Sequence, residues 1–479
     1  KSGRLTDEEA YRYIHSLWTM IENRRTTVNG RIIVGGKGRK HPKEADVFLH
    51  IAMKVAKNCR YVEPQFTLRF DKETSEEIWD EALDALGAGA TYPTLYNDDV
   101  NVPAVMYGMR VDEKTAEQYV PFGCTEFVIQ GQSTGTPNIC INLLKLLTIY
   151  MNDGIDPIDG KRKSGPVSLK KLEEYQTFEE FYDGYKALLD YYLDLSVKAQ
   201  YHSYEVMNQH VSFLFTSLLT DDCIARGKAL LDGGVRYLGG TNETYGNINT
   251  SDSLWVIRDL VFNQKKYTLR QLNDAMLANF NGYEALRKDC LNCDKYGNDL
   301  ETADTMANDL YEFVAKGVRN RGIAIGMQYF LIVISNNQLN TEWGNRTAAS
   351  PDGRLSCMYM NPANNPQGGA NKSGPTAMLN SLAKFDAKYH GGSVQNIKFS
   401  PSMFNENRAV IKSLFKTYFA KGGCHLMVTV VDKGVLEDAV EHPENYPDLI
   451  VRVSGFSAVF VDLSPNIQQE LLSRVLYDK

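Results

Sequence analysis

The chain has 479 residues, of which 43% are apolar and 23% charged, with a formal net charge of −7 and a pI near 5.7. That length and apolar content can bury a large core, while the acidic balance excludes nucleic acid or an anionic membrane as the main partner, because phosphate recognition wants a basic face. Nothing approaches the run of about 20 apolar residues that spans a bilayer; the best candidate, Tyr329-Phe330-Leu331-Ile332-Val333-Ile334, has the length of a strand.

The chain does not begin with Met, no signal peptide opens it, and Lys1-Ser2-Gly3-Arg4 runs straight into a helical pattern. It therefore reads as the C-terminal part of a longer, cytoplasmic protein. Eight scattered cysteines fit cytosolic thiols better than a disulfide framework. Cys290 and Cys293 form the one close pair, without the second pair a structural zinc site needs, and no His-x-x-x-His spacing occurs. No metal is expected.

In chain order, Thr6-Asp7-Glu8-Glu9 is a capping box that opens an amphipathic helix through about residue 24. Arg31 to Gly36 reads as a buried strand, 43 to 58 as a helix and Phe66 to Phe70 as a strand, and Thr74-Ser75-Glu76-Glu77 caps another helix. Strand and helix alternate at the spacing of βα units around a mostly parallel sheet, which predicts α/β architecture of barrel type. Residues 177 to 220 and 251 to 317 are rich in helix formers and predict a helical layer outside the sheet. Strands return at 328 to 335, 395 to 399 and 426 to 431, and Ser464-Pro465 opens a final helix. With no linker or internal repeat, residues 1–479 read as a single domain.

Two stretches stand out. Pro121 to Asn138 carries Gly123, Gly131, Gly135 and Pro137 and predicts an ordered loop ahead of a helical run over 140 to 152. Taken alone, Cys124 in that loop is a small buried hydrophobe and Glu126 a solvated charge. Leu449 to Phe460 predicts two short buried strands joined by a Ser454-Gly455 turn, where Gly455, taken alone, supplies a positive φ.

The string Arg452-Val453-Ser454-Gly455-Phe456 closely resembles the Arg-Val-Ser/Ala-Gly-Tyr/Phe signature of the glycyl radical enzymes, the group that includes pyruvate formate-lyase and the glycerol and choline lyases. Gly123-Cys124-Thr125-Glu126 resembles the cysteine loop of the same family. Leu95 to Asp99, Ser350-Pro351-Asp352-Gly353-Arg354, Gly374 to Ala377 and His442-Pro443-Glu444 resemble further blocks of it, in order along essentially the whole chain. The resemblance implies part of a ten-stranded α/β barrel with surrounding helices, holding a cysteine loop near 121–138 and a glycyl radical loop near 449–462. It implies that a radical-SAM activase removes a Cα hydrogen from Gly455, that Cys124 relays the radical to substrate as a thiyl, and that Glu126 acts as general base or acid. Thiol S–H and activated C–H bonds are of similar strength, so the hydrogen can move either way. A carboxylate beside a dry radical site is expected to titrate high, which suits proton shuttling.

Departures narrow the reaction. Pyruvate formate-lyase uses two adjacent cysteines, whereas Cys124 is flanked by Gly123 and Thr125. The four-cysteine metal site usual near the glycine of anaerobic ribonucleotide reductase is missing. Glycerol, diol and choline lyases usually read Gly-Cys-Val-Glu-Pro, where this chain has Thr125 and Phe127, and Met427-Val428-Thr429 stands where Gln-Phe-Asn is common. Some of them place an Asp fourteen residues after the cysteine to hold a substrate hydroxyl; here that residue is Asn138, which keeps hydrogen bonding but cannot act as an acid.

The reading is an oxygen-sensitive radical dehydratase or lyase of anaerobic metabolism, acting on a small hydroxylated substrate, with no bound cofactor and a homodimeric assembly as in many relatives. The alternatives are a radical decarboxylase of arylacetates, an inactive scaffold, or a spare-part protein that donates a glycine loop to a damaged partner. Spare-part proteins lack the cysteine loop that is present here. As the C-terminal part, the chain is expected to lack roughly the first half of the barrel.

Overall fold

The computed structural model describes residues 4–24, 30–135, 138–334 and 338–478. Thr136 and Pro137 of the cysteine stretch and Ser335 at the end of a predicted strand lie outside them. Strands β1 (Ile32–Gly35), β2 (Phe66–Phe70) and β3 (Thr94–Asn97) come first, then the pair β4 (Tyr119–Phe122) and β5 (Glu126–Ile129). They are followed by β6 (Asn138–Asn142), β7 (Gly239–Tyr245), β8 (Tyr329–Ile334) and β9 (His390–Ser393). The series ends with β10 (Asn396–Phe399), β11 (His425–Val430), the pair β12 (Ile450–Arg452) and β13 (Ser457–Val459), and β14 (Leu476–Tyr477).

Two sheets form the frame. One has six strands in the order β1-β2-β3-β11-β10-β14, the other four in the order β6-β7-β8-β9. The second sheet is parallel throughout, and β8, all six residues of which are buried, has the continuous apolar character of a strand covered on both faces. In the first sheet β1, β2 and β3 run parallel and β11 meets β3 antiparallel, in the register Leu426↔Leu95. Helices Phe178–His210 and Glu301–Ala324 pack on the parallel sheet as the predicted outer layer. Among the described residues the two sheets together hold ten strands.

The first helix, Asp7–Glu22, has the predicted capping box, Glu9 N–H donating to Thr6 Oγ1 and Thr6 N–H to Glu9 Oε2. The helix Glu76–Gly87 is capped one residue later than predicted, by Ser75, because Thr74 is engaged in a turn with Asp71. Larger corrections fall around the cysteine stretch. Its glycines suggested a loop, but β4 and β5 form an antiparallel hairpin there, Tyr119↔Ile129 through Phe122↔Glu126. The predicted helical run from 140 begins instead as β6 and becomes helix only at Leu143–Met151, capped by Asn142. Strand β7 was not predicted, since Gly239-Gly240-Thr241-Asn242-Glu243-Thr244-Tyr245 lacks an apolar run.

The main apolar core extends from Trp18 to Tyr477. A separate apolar cluster holds Val431, Leu436, Val451, Phe456, Phe460 and Leu471, so the β12–β13 hairpin and the helices beside it share a core of their own. No helix among the described residues is long and apolar enough to cross a membrane.

Candidate active site

The two hairpins meet tip to tip. At the first, Gly123-Cys124-Thr125 joins β4 to β5, closed by Thr125 N–H donating to the Phe122 carbonyl at 3.0 Å. Thr125 has φ +141°, a region that β-branched residues avoid at a cost of about 1–3 kcal/mol, and its buried hydroxyl has no hydrogen-bond partner among the described residues. The turn is held from outside. Arg31 Nη2 donates to the Gly123 carbonyl at 2.7 Å, and the Thr125 carbonyl lies 2.3 Å from where a Cβ on Gly392 would stand. Only glycine fits at 392.

At the second tip, Val453-Ser454-Gly455-Phe456 joins β12 to β13, with Val453 N–H and Ser454 N–H both donating to the Phe456 carbonyl at 3.1 and 3.2 Å. Gly455 does not have a positive φ. The turn-conformation reading of this glycine therefore fails, and space is the structural demand. A Cβ built on Gly455 would lie 2.4 Å from Cys124 Cα, 2.8 Å from its Cβ and 3.0 Å from its Sγ. Both residues are buried.

Charged groups brace the glycine hairpin. Arg452, 2% exposed, donates from Nη1 to Ser457 Oγ at 3.2 Å, and its guanidinium lies 4.9 Å over the Tyr92 ring. From the last helix, Arg474 Nη2 donates to the Val453 carbonyl at 2.6 Å while the same guanidinium pairs with Glu470.

Beside Cys124, Glu126 begins β5 and points into the protein, 3% exposed. Its Oε2 accepts from Thr125 N–H at 3.0 Å, and its Oε1 from Asn138 Nδ2 at 3.1 Å. Burial, and next the charge of Glu243, push this carboxyl up to about 7, against backbone N–H groups and Arg31, which favour the ionised form. Asn138 Nδ2 also reaches Glu243 Oε1 at 2.8 Å, and Asn138 Oδ1 accepts from Thr241 Oγ1 at 2.6 Å. The amide therefore stands between two carboxylates. Tyr245 OH donates to Glu243 Oε2 at 2.5 Å.

All four sequence-predicted residues thus come together: Gly455 against Cys124, Glu126 beside it, and Asn138 bonded to Glu126. Glu243, Thr241, Tyr245 and Arg31 were missed. The first three share one face of β7 at a period of two, which sets Cys140 against Glu243 and Asn138 against Thr241 across the ladder. A buried Glu in a strand is a signal, but it is visible only once β7 is recognised as a strand. Two imidazoles were also missed. Tyr96 and His425 rings lie 4.5 Å apart. Burial holds His390 down to about 4, and burial, then Arg452 and Arg31, keep His425 well below its ordinary value, so both rings are neutral near pH 7. Cys290 is buried and its thiol is pushed up to about 12.

This arrangement of paired hairpin tips inside an α/β frame defines a class. Residues 1–339 match the Pyruvate formate lyase-like family and residues 360–461 the Glycine radical family. The chain belongs to the pyruvate formate lyase-like glycyl radical enzymes. It is 28% identical over 491 residues to trans-4-hydroxy-L-proline dehydratase of Clostridioides difficile, covering 99% of this chain and 62% of that protein. With (2S)-3-sulfopropanediol dehydratase of Klebsiella oxytoca it shares 27% identity over 466 residues, 95% of this chain and 56% of that one. The glycerol-bound structure of the B12-independent glycerol dehydratase from Clostridium butyricum superposes with a TM-score of 0.90 at 28% identity, over 100% of this chain and 62% of that one. The chain therefore spans under two thirds of the length of these relatives.

Proposed function

We propose that this chain carries the radical centre of a glycyl radical dehydratase or lyase acting on a small hydroxylated molecule, with residues 1–479 forming one catalytic domain. The observation that carries the reading is the buried contact of Gly455 with Cys124, with Glu126 alongside. A radical-SAM activase removes one Cα hydrogen from Gly455. Cys124 then gives its S–H hydrogen to that carbon and becomes a thiyl, and the thiyl takes a hydrogen from the substrate carbon bearing the hydroxyl. Glu126 accepts the hydroxyl proton as the neighbouring C–O bond breaks and returns it to the departing hydroxide, so that water leaves. Cys124 hands its hydrogen back to the product radical. A carboxyl that titrates near 7 can take and return a proton at neutral pH.

Asn138 acts as the spacer that orients Glu126. A cytoplasmic homodimer in an anaerobic cell completes the proposal.

The test is electron paramagnetic resonance on the full-length protein after anaerobic treatment with activase, reductant and S-adenosylmethionine. The expected result is a glycine-type doublet that is absent in Gly455→Ala and retained without turnover in Cys124→Ala. Turnover by Cys124→Ala, or no doublet from an activase that works on another partner, would overturn the assignment.

A further inference from the structure

Behind the glycine hairpin lies a cavity of about 50 Å³, whose lining does not include Cys124 or Glu126. Val431, Leu436, Val451 and Leu471, all from the separate glycine-hairpin core, form its apolar wall. The opposite wall includes Asn396 and Lys398 of β10. Each of these is 8% exposed. Asn396 Oδ1 has no hydrogen-bond partner among the described residues, although its Nδ2 donates to Asn365 Oδ1 at 3.4 Å. Lys398 Nζ donates to the Leu471 carbonyl at 3.0 Å and makes no ion pair among the described residues, since the Glu470 carboxylate beside it is taken up by Arg474.

A buried ammonium whose neighbouring carboxylate is bonded to another cation, and a buried acceptor without a donor, each cost stability, and one ligand can relieve both. The ligand must bring a carboxylate to Lys398 and a hydroxyl hydrogen to Asn396. The volume has room for roughly three to five water-sized positions, which is the size of a two- or three-carbon molecule. We propose that this cavity binds a short hydroxylated monocarboxylate and that its occupancy clamps the glycine hairpin against the barrel wall. The clamp follows from the two walls, because a ligand touching both is released when they part, and so stabilises the closed arrangement by mass action.

The experiment is calorimetric titration of the full-length protein with glycolate, with acetate and ethylene glycol as controls, alongside amide hydrogen exchange over residues 449–460. Glycolate should bind saturably, acetate roughly tenfold more weakly for want of the hydroxyl, and ethylene glycol more weakly still. Saturating glycolate should slow exchange over the hairpin several-fold. Lys398→Met should abolish both effects. If that variant does not fold, Asn396→Leu removes the acceptor for the ligand hydroxyl and should bring glycolate down to the affinity of acetate. Absence of saturable glycolate binding, binding that survives both variants, or unchanged hairpin exchange at saturation would overturn the proposal.

Discussion

Replacing Glu126 by Gln probes the electrostatics of the site without requiring turnover. The carboxyl titrates near 7 instead of 4.5 because burial strips it of water and Glu243 repels its charged form. In the unfolded chain it ionises near its ordinary value. Between those two values the folded protein therefore holds a proton that the unfolded chain has released, and stability falls as pH rises through that window. This is the reverse of an ion-paired carboxylate, whose contribution is lost on acidification. A displacement of that size corresponds to roughly 3 kcal/mol of destabilisation above neutral pH, absent below the unfolded value. Glutamine occupies the same space and cannot ionise, so the difference in stability between the wild type and Glu126→Gln should change by roughly 3 kcal/mol, against the wild type, from about pH 4 to about pH 8. Urea unfolding of both proteins across that range, followed by circular dichroism, measures the difference and cancels the groups they share. Parallel pH profiles would refute the burial argument, and a difference of the opposite sign would mean that Arg31 outweighs burial and Glu243.

Glu243→Gln removes the like charge from the far side of Asn138 and should move the same stability window, and the acid limb of kcat/KM, to lower pH; an unmoved limb would mean the two carboxylates are uncoupled. Gly455→Ala should cost roughly 1–3 kcal/mol even without activation, because the added methyl falls on Cys124 Cα and the hairpin must shift; denaturant unfolding reads this directly. Arg474→Gln removes the bond to the Val453 carbonyl and should speed amide exchange across the glycine hairpin by about tenfold, with exchange in the parallel sheet unchanged.

How much of this was legible in the sequence depended on where the instruction is written. The buried run of β8 and the alternation of strand and helix are local patterns, and they pointed to the α/β frame. Gly455 and Cys124 were found because their flanking strings resemble a family, since neither a Ser-Gly pair nor a lone Cys carries enough information alone. The hairpin at β4–β5 was misread as a loop because Gly123 serves its tight tip while Gly131 and Gly135 lie beyond β5, and because pairing across the ladder depends on residues that single-position signals do not report. Strand β7 was invisible for a related reason. One of its buried faces carries hydrogen-bonding side chains, so Thr241, Glu243 and Tyr245 stand where a periodicity argument looks for apolar residues. The residues that sequence reading missed are thus those whose burial is made favourable by partners from distant strands.

The same principle explains why the glycine and the cysteine sit on hairpin tips rather than on the frame. A radical at a Cα needs a carbon that carries no substituent, and a hydrogen relay needs another atom within contact of it. A strand or helix backbone is screened by its own side chains and ladder partners, whereas a tip of three or four residues presents its Cα directly. Two such tips can approach until a Cβ on one would overlap the Cα of the other, as at Gly455 and Cys124. That closeness requires rigidity, which Arg31 supplies to one tip and Arg452 and Arg474 to the other through hydrogen bonds to carbonyl and hydroxyl groups. The activation proposed above also needs a glycine tip that can be withdrawn, because a buried Gly455 is out of reach of a second protein. Packing the glycine hairpin on a small apolar cluster of its own, instead of threading it into the main core, meets both demands.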